Sequence, residues 1–129
     1  MKISSLAVHP ANAAPPKGPY TPAIKSGDFL FVSGQIGLEY ATGKLVAGGT
    51  LPELKQALNN LDALLKASGA TAASVVKATL FLVDMGEFAA VNEVYAAYFQ
   101  ASPKPARSCV AVAALPAGAR VEIEAIARL

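Results

Sequence analysis

A chain of 129 residues is sized for a single domain, taken here as residues 1–129. Its formal charge of +2, with eleven Lys and Arg and no run of them, supplies neither a nucleic-acid track nor a polybasic membrane anchor. One Cys and one His argue against an internal disulfide and against a His/Cys zinc site, and no stretch approaches the roughly 18 apolar residues of a membrane-spanning helix. A single cysteine fits a reducing, cytoplasmic setting.

The first segment, "MKISSLAVHPANAAPP" (Met1 to Pro16), has the Lys2 and the A-N-A of a secretory leader. Its apolar core is too short and Ser-rich for one, so it reads as a loop carrying His9. "GPY" (Gly18 to Tyr20) is a turn that presents an aromatic ring. "FLFVSGQI" (Phe29 to Ile36) is a strand interrupted by Gly34, the mark of a bulge or of a close approach. "EYATGKLV" (Glu39 to Val46) reads as a loose hairpin around Thr42-Gly43. Gly48-Gly49 lacks the surroundings of a phosphate-binding loop.

A helix is expected over about Leu51 to Ser68, with Thr50 and Glu53 as a capping box and Gly69 as its left-handed end. Leu54, Leu58, Leu61 and Leu65 form its apolar stripe. "SVVKATLFLV" (Ser74 to Val83) is a strand. A second helix is expected over about Met85 to Ala101, capped by Asp84 and Glu87, with Phe88, Val91, Tyr95 and Phe99 as its stripe. Two strands follow, Arg107 to Ala113 and Arg120 to Leu129, joined by "LPAGA" (Leu115 to Ala119) as a hairpin. The order β-α-β-α-β-β implies an α+β domain, a mixed sheet with both helices on one face.

Side chains alternate along a strand. Val121, Ile123, Ala125 and Ala127 share one face of the last strand, and Glu122, Glu124 and Ile126 the other. The helices cover only one face of such a sheet. The second is expected to carry Phe and Val together with Arg107, Cys109 and Glu122, a patch too apolar to leave in water. Hydrophobic residues make up 53% of the chain and charged ones 16%, which points the same way, to a symmetric oligomer with facing sheets.

Three residues could carry chemistry. Arg107 reads either as a surface arginine or as an anion clamp, its planar fork matching a carboxylate. Glu122 and Glu124 read either as a solvated strand face or as an acid–base group with a pKa raised by partial burial. Cys109 beside Arg107 invites the reading of an activated nucleophile. Free Cys is more often a small buried hydrophobe, and the base it would need is missing from its neighbourhood.

"GPY", "VSGQI", "FAAVNEVYAAYF" and above all "PARSCVAVAALPAGARVEIEAIA" closely resemble the RidA/YjgF family of reactive-intermediate deaminases, also labelled endoribonuclease L-PSP. The resemblance runs over roughly Ala14 to Arg128. It implies a chorismate-mutase-like α+β fold, a homotrimer with a β-barrel-like core, and clefts between adjacent subunits. The implied activity is hydrolysis of 2-imino acids such as 2-iminobutanoate and 2-iminopropanoate to 2-keto acids and ammonia. No cofactor or metal is implied.

Carried onto this chain, the resemblance gives Arg107 the substrate carboxylate and Glu122 the task of orienting or activating water. Tyr20 supplies a ring, Ser33 and Gly34 line the cleft, and Asn92 lies close by. Cys109 contributes position and backbone groups. The chain departs from the family at Ala111, where many members have Glu, and at Gly37, where Pro is frequent. Two other functions compete. An endoribonuclease would need a phosphate track and stacking aromatics. A non-enzymatic carboxylate sensor or chaperone-like protein would bind without turnover.

Overall fold

The computed structural model describes residues 5–10 and 16–129. The A-N-A of the N-terminal segment lies outside the described residues. Six strands form one mixed sheet: β1 (Ser5–Val8), β2 (Ala23–Ser26), β3 (Phe29–Gln35), β4 (Val75–Leu82), β5 (Ala106–Ala111) and β6 (Val121–Arg128). Their spatial order is β1-β2-β3-β6-β4-β5. Two helices, α1 (Thr50–Ala67) and α2 (Phe88–Tyr98), complete the expected α+β domain.

The core follows from the two periodicities. On the sheet, Leu30, Val32, Ala78, Leu80, Leu82, Val121, Ile123, Ala125 and Ala127 all point to one side and are buried. The α1 stripe of Leu54, Leu58, Leu61 and Leu65 meets them, together with Val91, Tyr95 and Phe99 from α2 and its end. Each buried Leu contributes about 1.5–3 kcal/mol over an exposed one. Gly69 ends α1 at φ 80°, with the Ala70 N–H returning to the Leu65 carbonyl.

Several expectations change. The α1 N-cap is Gly49 and not a Thr50/Glu53 capping box: Thr50 lies inside the helix, and both side chains serve other partners. The second helix divides into a 3-10 turn (Met85–Glu87) and α2, and stops at Tyr98. Asp84 does cap, accepting the Gly86 N–H at 2.8 Å. The Thr42-Gly43 hairpin forms, closed by a bridge between Leu38 and Leu45. His9 is exposed and outside the strands.

"LPAGA" is not a hairpin turn. β5 runs parallel to β4, and β6 lies on the other side of β4, antiparallel to it. The segment therefore crosses over β4, with the Val112 N–H on the Leu82 carbonyl and the Val83 N–H on the Arg120 carbonyl. A turn-forming sequence specifies a change of direction, not the partner reached afterwards.

The side of the sheet away from the helices carries Phe29, Phe31 and Val110, each well exposed, with Phe81 and Ile126 partly so. Glu122, Glu124, Lys77 and Thr79 lie among them. This is the anticipated second face, with one correction: neither Arg107 nor Cys109 is on it.

Candidate active site

Arg107 pairs with Ala78 in the β4–β5 ladder, and Cys109 with Leu80. Ala78 and Leu80 point toward the helices, so Arg107 and Cys109 do too. Glu122 pairs with Phe81 and emerges on the opposite face. Alternation groups residues within a strand; it does not say which group lies beneath the helices.

α2 holds the Arg107 guanidinium. Nη1 donates to Asn92 Oδ1 at 2.8 Å. The guanidinium carbon lies 4.8 Å from the centre of the Tyr95 ring and 5.5 Å from that of Phe88. Phe88, Asn92 and Tyr95 are spaced i, i+4, i+7, which places all three on one helix face against the arginine. A cation between two rings, with one edge engaged by an amide, is fixed in orientation and keeps further N–H donors for an anion. Phe88 and Tyr95 read from sequence as core only. The Asn within their stripe, facing a strand arginine, is the signal that points to them.

Cys109 packs at the margin of the core. Burial pushes its thiol pKa up, and the Arg107 charge only partly opposes this. Such a thiol stays protonated at neutral pH and is a poor nucleophile. Burial likewise raises the Tyr95 hydroxyl, again against Arg107.

The second group gathers at the end of β3. The ladder to β6 shifts register between Val32 and Gln35, at Ser33-Gly34. Glu122 lies over Gly34 so closely that a Cβ there would overlap Glu122 Oε2. Ser33 Oγ donates to the Thr21 carbonyl at 2.6 Å, and its N–H donates to the Pro22 carbonyl, tying β3 to the segment after "GPY". Tyr20 is 54% exposed, its ring free of the chain's own core. Burial raises the Glu122 pKa, and the neighbouring Glu124 charge raises it further. Arg107 does not counteract it, being on the other face. Glu122 thus keeps a proton to higher pH than an ordinary glutamate, as a general acid must.

The chain therefore brings its seven candidate residues together in two sets. Arg107 and Cys109 point to the helix side, where Asn92 of α2 meets the arginine; Glu122 and Gly34 lie on the open face, with Ser33 and Tyr20 beside the β3 end. Among the described residues no cluster of His, Cys, Asp and Glu has the makings of a metal site.

The chain resembles known proteins along nearly all its length. The family model described as Endoribonuclease L-PSP matches residues 11–129. The 2-iminobutanoate/2-iminopropanoate deaminase of Mus musculus is 53% identical over 110 residues, covering 85% of this chain and 81% of its own. Among solved structures, the Rid-family protein YyfA of Yersinia pestis superposes with a TM-score of 0.93 at 40% identity, over 98% of this chain and 100% of its own. TdcF of E. coli, solved with bound serine, gives 0.90 at 36% identity, over 96% and 98%. The fold, the helix-braced arginine and this similarity lead to one conclusion: the chain belongs to the endoribonuclease L-PSP family, the RidA/YjgF family that its C-terminal motif resembles.

Proposed function

We propose that this protein hydrolyses reactive 2-imino acids, such as 2-iminobutanoate and 2-iminopropanoate, to 2-keto acids and ammonia. The observation that carries the proposal is the Arg107 guanidinium, immobilised by Asn92, Tyr95 and Phe88 with N–H donors to spare. The deaminase names of relatives at about half identity support it.

A 2-imino acid has a carboxylate beside a C=N bond. Arg107 takes the carboxylate, which fixes the imine carbon. Glu122, protonated, delivers a proton to the imine nitrogen while water adds to the carbon, and the second proton of that water passes to the same nitrogen, so that the leaving group is –NH3+. The resulting carbinolamine gives up its hydroxyl proton to the Glu122 carboxylate as the C–N bond breaks and ammonia leaves. One water is consumed and the Glu122 proton is restored. Acid–base help of this kind is typically worth about 10²–10⁴-fold. Imines of this type already hydrolyse in water, so no covalent step through Cys109 is required.

Because Arg107 and Glu122 lie on opposite faces of their own sheet, the reading takes the two from different chains. The open apolar face is then the contact between subunits of a homotrimer, and each cleft joins Arg107 of one subunit to Glu122 of the next. Tyr20, Ser33 and Gly34 complete the Glu122 side. The reading includes no metal, cofactor or nucleic-acid partner, and the lone thiol suits a reducing cytoplasm.

The test couples a threonine dehydratase to this protein and follows decay of the transient enamine/imine signal. Arg107→Ala is expected to lose the acceleration, a fall of about 10²-fold or more, while keeping the oligomer. Full activity in that variant would remove the carboxylate clamp from the mechanism.

A further inference from the structure

One charged cluster on the helix side takes no part in this scheme. Arg120 stands between the β5–β6 crossover and β6. Its N–H donates to Glu53 Oε1 at 2.8 Å, and its carbonyl accepts from the Val83 N–H. Its Nε donates to Thr50 Oγ1 at 2.9 Å and its Nη2 to Glu87 Oε1 at 2.7 Å. Thr50 Oγ1 in turn donates to the same Glu87 oxygen at 2.9 Å. Thr50 and Glu53 are buried, while the Arg120–Glu87 pair is partly exposed.

An exposed ion pair alone contributes little to stability. The arrangement here does something more specific. The Arg120 backbone is already held at both its N–H and its carbonyl, so the side chain is not needed to fix the start of β6. What the side chain holds is Glu87, the residue immediately before Phe88, and Phe88 lies over the Arg107 guanidinium. Two residues beyond Arg120 is Glu122. The guanidinium fork thus ties the helix turn that backs the arginine to the strand that carries the acid.

We infer that Arg120 is a positioning residue: through Glu87 it sets the first turn of α2, and with it the seat of Arg107, against the body of the sheet. The inference rests on the deaminase reading. Loss of the Arg120 side chain leaves the Glu122 strand anchored and loosens the wall behind Arg107. It therefore weakens hold on the substrate carboxylate more than it slows the chemical step.

The experiment compares wild type, Arg120→Gln, Arg120→Lys, Glu87→Gln and Lys66→Gln in the dehydratase-coupled assay, with affinity for the stable product 2-oxobutanoate measured in parallel. Lys66→Gln removes another ion pair, 2.8 Å to Asp62 at the far end of α1, and serves as the control. Arg120→Gln and Glu87→Gln are expected to raise KM and the 2-oxobutanoate Kd about tenfold with kcat within about twofold, a displacement effect of modest size. Arg120→Lys, which keeps a cation near Glu87, should recover part of that loss, and Lys66→Gln should leave KM unchanged. Wild-type KM and Kd in both Arg120→Gln and Glu87→Gln would overturn the inference, even if melting temperatures fell. Should Arg120→Gln not fold, Glu87→Gln alone decides the matter. An inactive wild type would strike at the deaminase reading, and the 2-oxobutanoate affinities would still decide for or against Arg120.

Discussion

Gly34 is the residue on which Glu122 depends most directly. A methyl group at Gly34 would overlap the Glu122 carboxyl, and what must give way is the end of a flexible side chain, not backbone. Gly34→Ala should therefore fold with a melting temperature close to wild type yet lose activity by about tenfold or more, because the acid is displaced from its reach. Turnover measured beside thermal melts checks this; a fully active Gly34→Ala would mean that the position of Glu122 is not critical. Glu122 itself makes a pH prediction. Burial raises its folded pKa above the unfolded value, so folding takes up a proton between the two. Wild-type stability then falls as pH rises through the window that begins at the ordinary glutamate range and ends at the raised value. Glu122→Gln remains neutral and avoids that loss. It should gain stability relative to wild type between about pH 4 and about pH 7.5, while losing catalysis. Melts at the two pH values test it: a variant that loses ground as pH rises would contradict the burial argument.

At the scale of elements, the crossover between β5 and β6 contains the chain's one strained feature among the described residues. Ala117 sits at φ 58°, the left-handed region, with Gly118 beside it at φ 71°. Ala117→Gly should relieve the Cβ clash and stabilise the protein by roughly 0.5–1 kcal/mol, net of the added freedom of the unfolded chain. Urea unfolding under matched conditions measures it, and a destabilised variant would show that Ala117 is supported by contacts the strain argument omits. The same crossover marks a limit of local sequence signals. β3 to β6 and both helices are legible because each is long enough to display a period of 2 or 3.6. β1 and β2 are not, since "SLAV" and "AIKS" are only four residues each and show no sustained alternation. The turn residues of "LPAGA" are recognisable, but their local chemistry is the same in a hairpin and in a crossover. The Thr50/Glu53 pattern matches a capping box, and tertiary partners, Arg120 above all, claim both side chains.

At the scale of the whole molecule, the separation of Arg107 from Glu122 yields a test that neither residue gives alone. If each cleft takes the two from different chains, Arg107→Ala and Glu122→Gln are inactive separately but complement when mixed. Random exchange of subunits in a one-to-one mixture should restore about a quarter of wild-type activity, the share of clefts that receive both intact halves in a closed ring. Unfolding and refolding the two variants together, against each refolded alone, makes the measurement. No recovery in mixed oligomers would return both residues to a single chain. The residue types of the site are legible from the sequence: a strand arginine, a strand glutamate and an out-of-place glycine. Their division between two faces is not, because it depends on which side the helices pack.

The sheet order has a consequence for how the chain is made. β6 is the last strand in sequence, yet it lies in the middle of the sheet between β3 and β4. Until it arrives, those two strands present bare edges to each other. A nascent chain that still lacks this eight-residue strand is thus two half-sheets with sticky borders. Closure is a long-range event, in which a strand made after both β3 and β4 inserts between them. Removal of Val121–Arg128 would take out the keystone, where the same loss at an outer strand would only trim a margin.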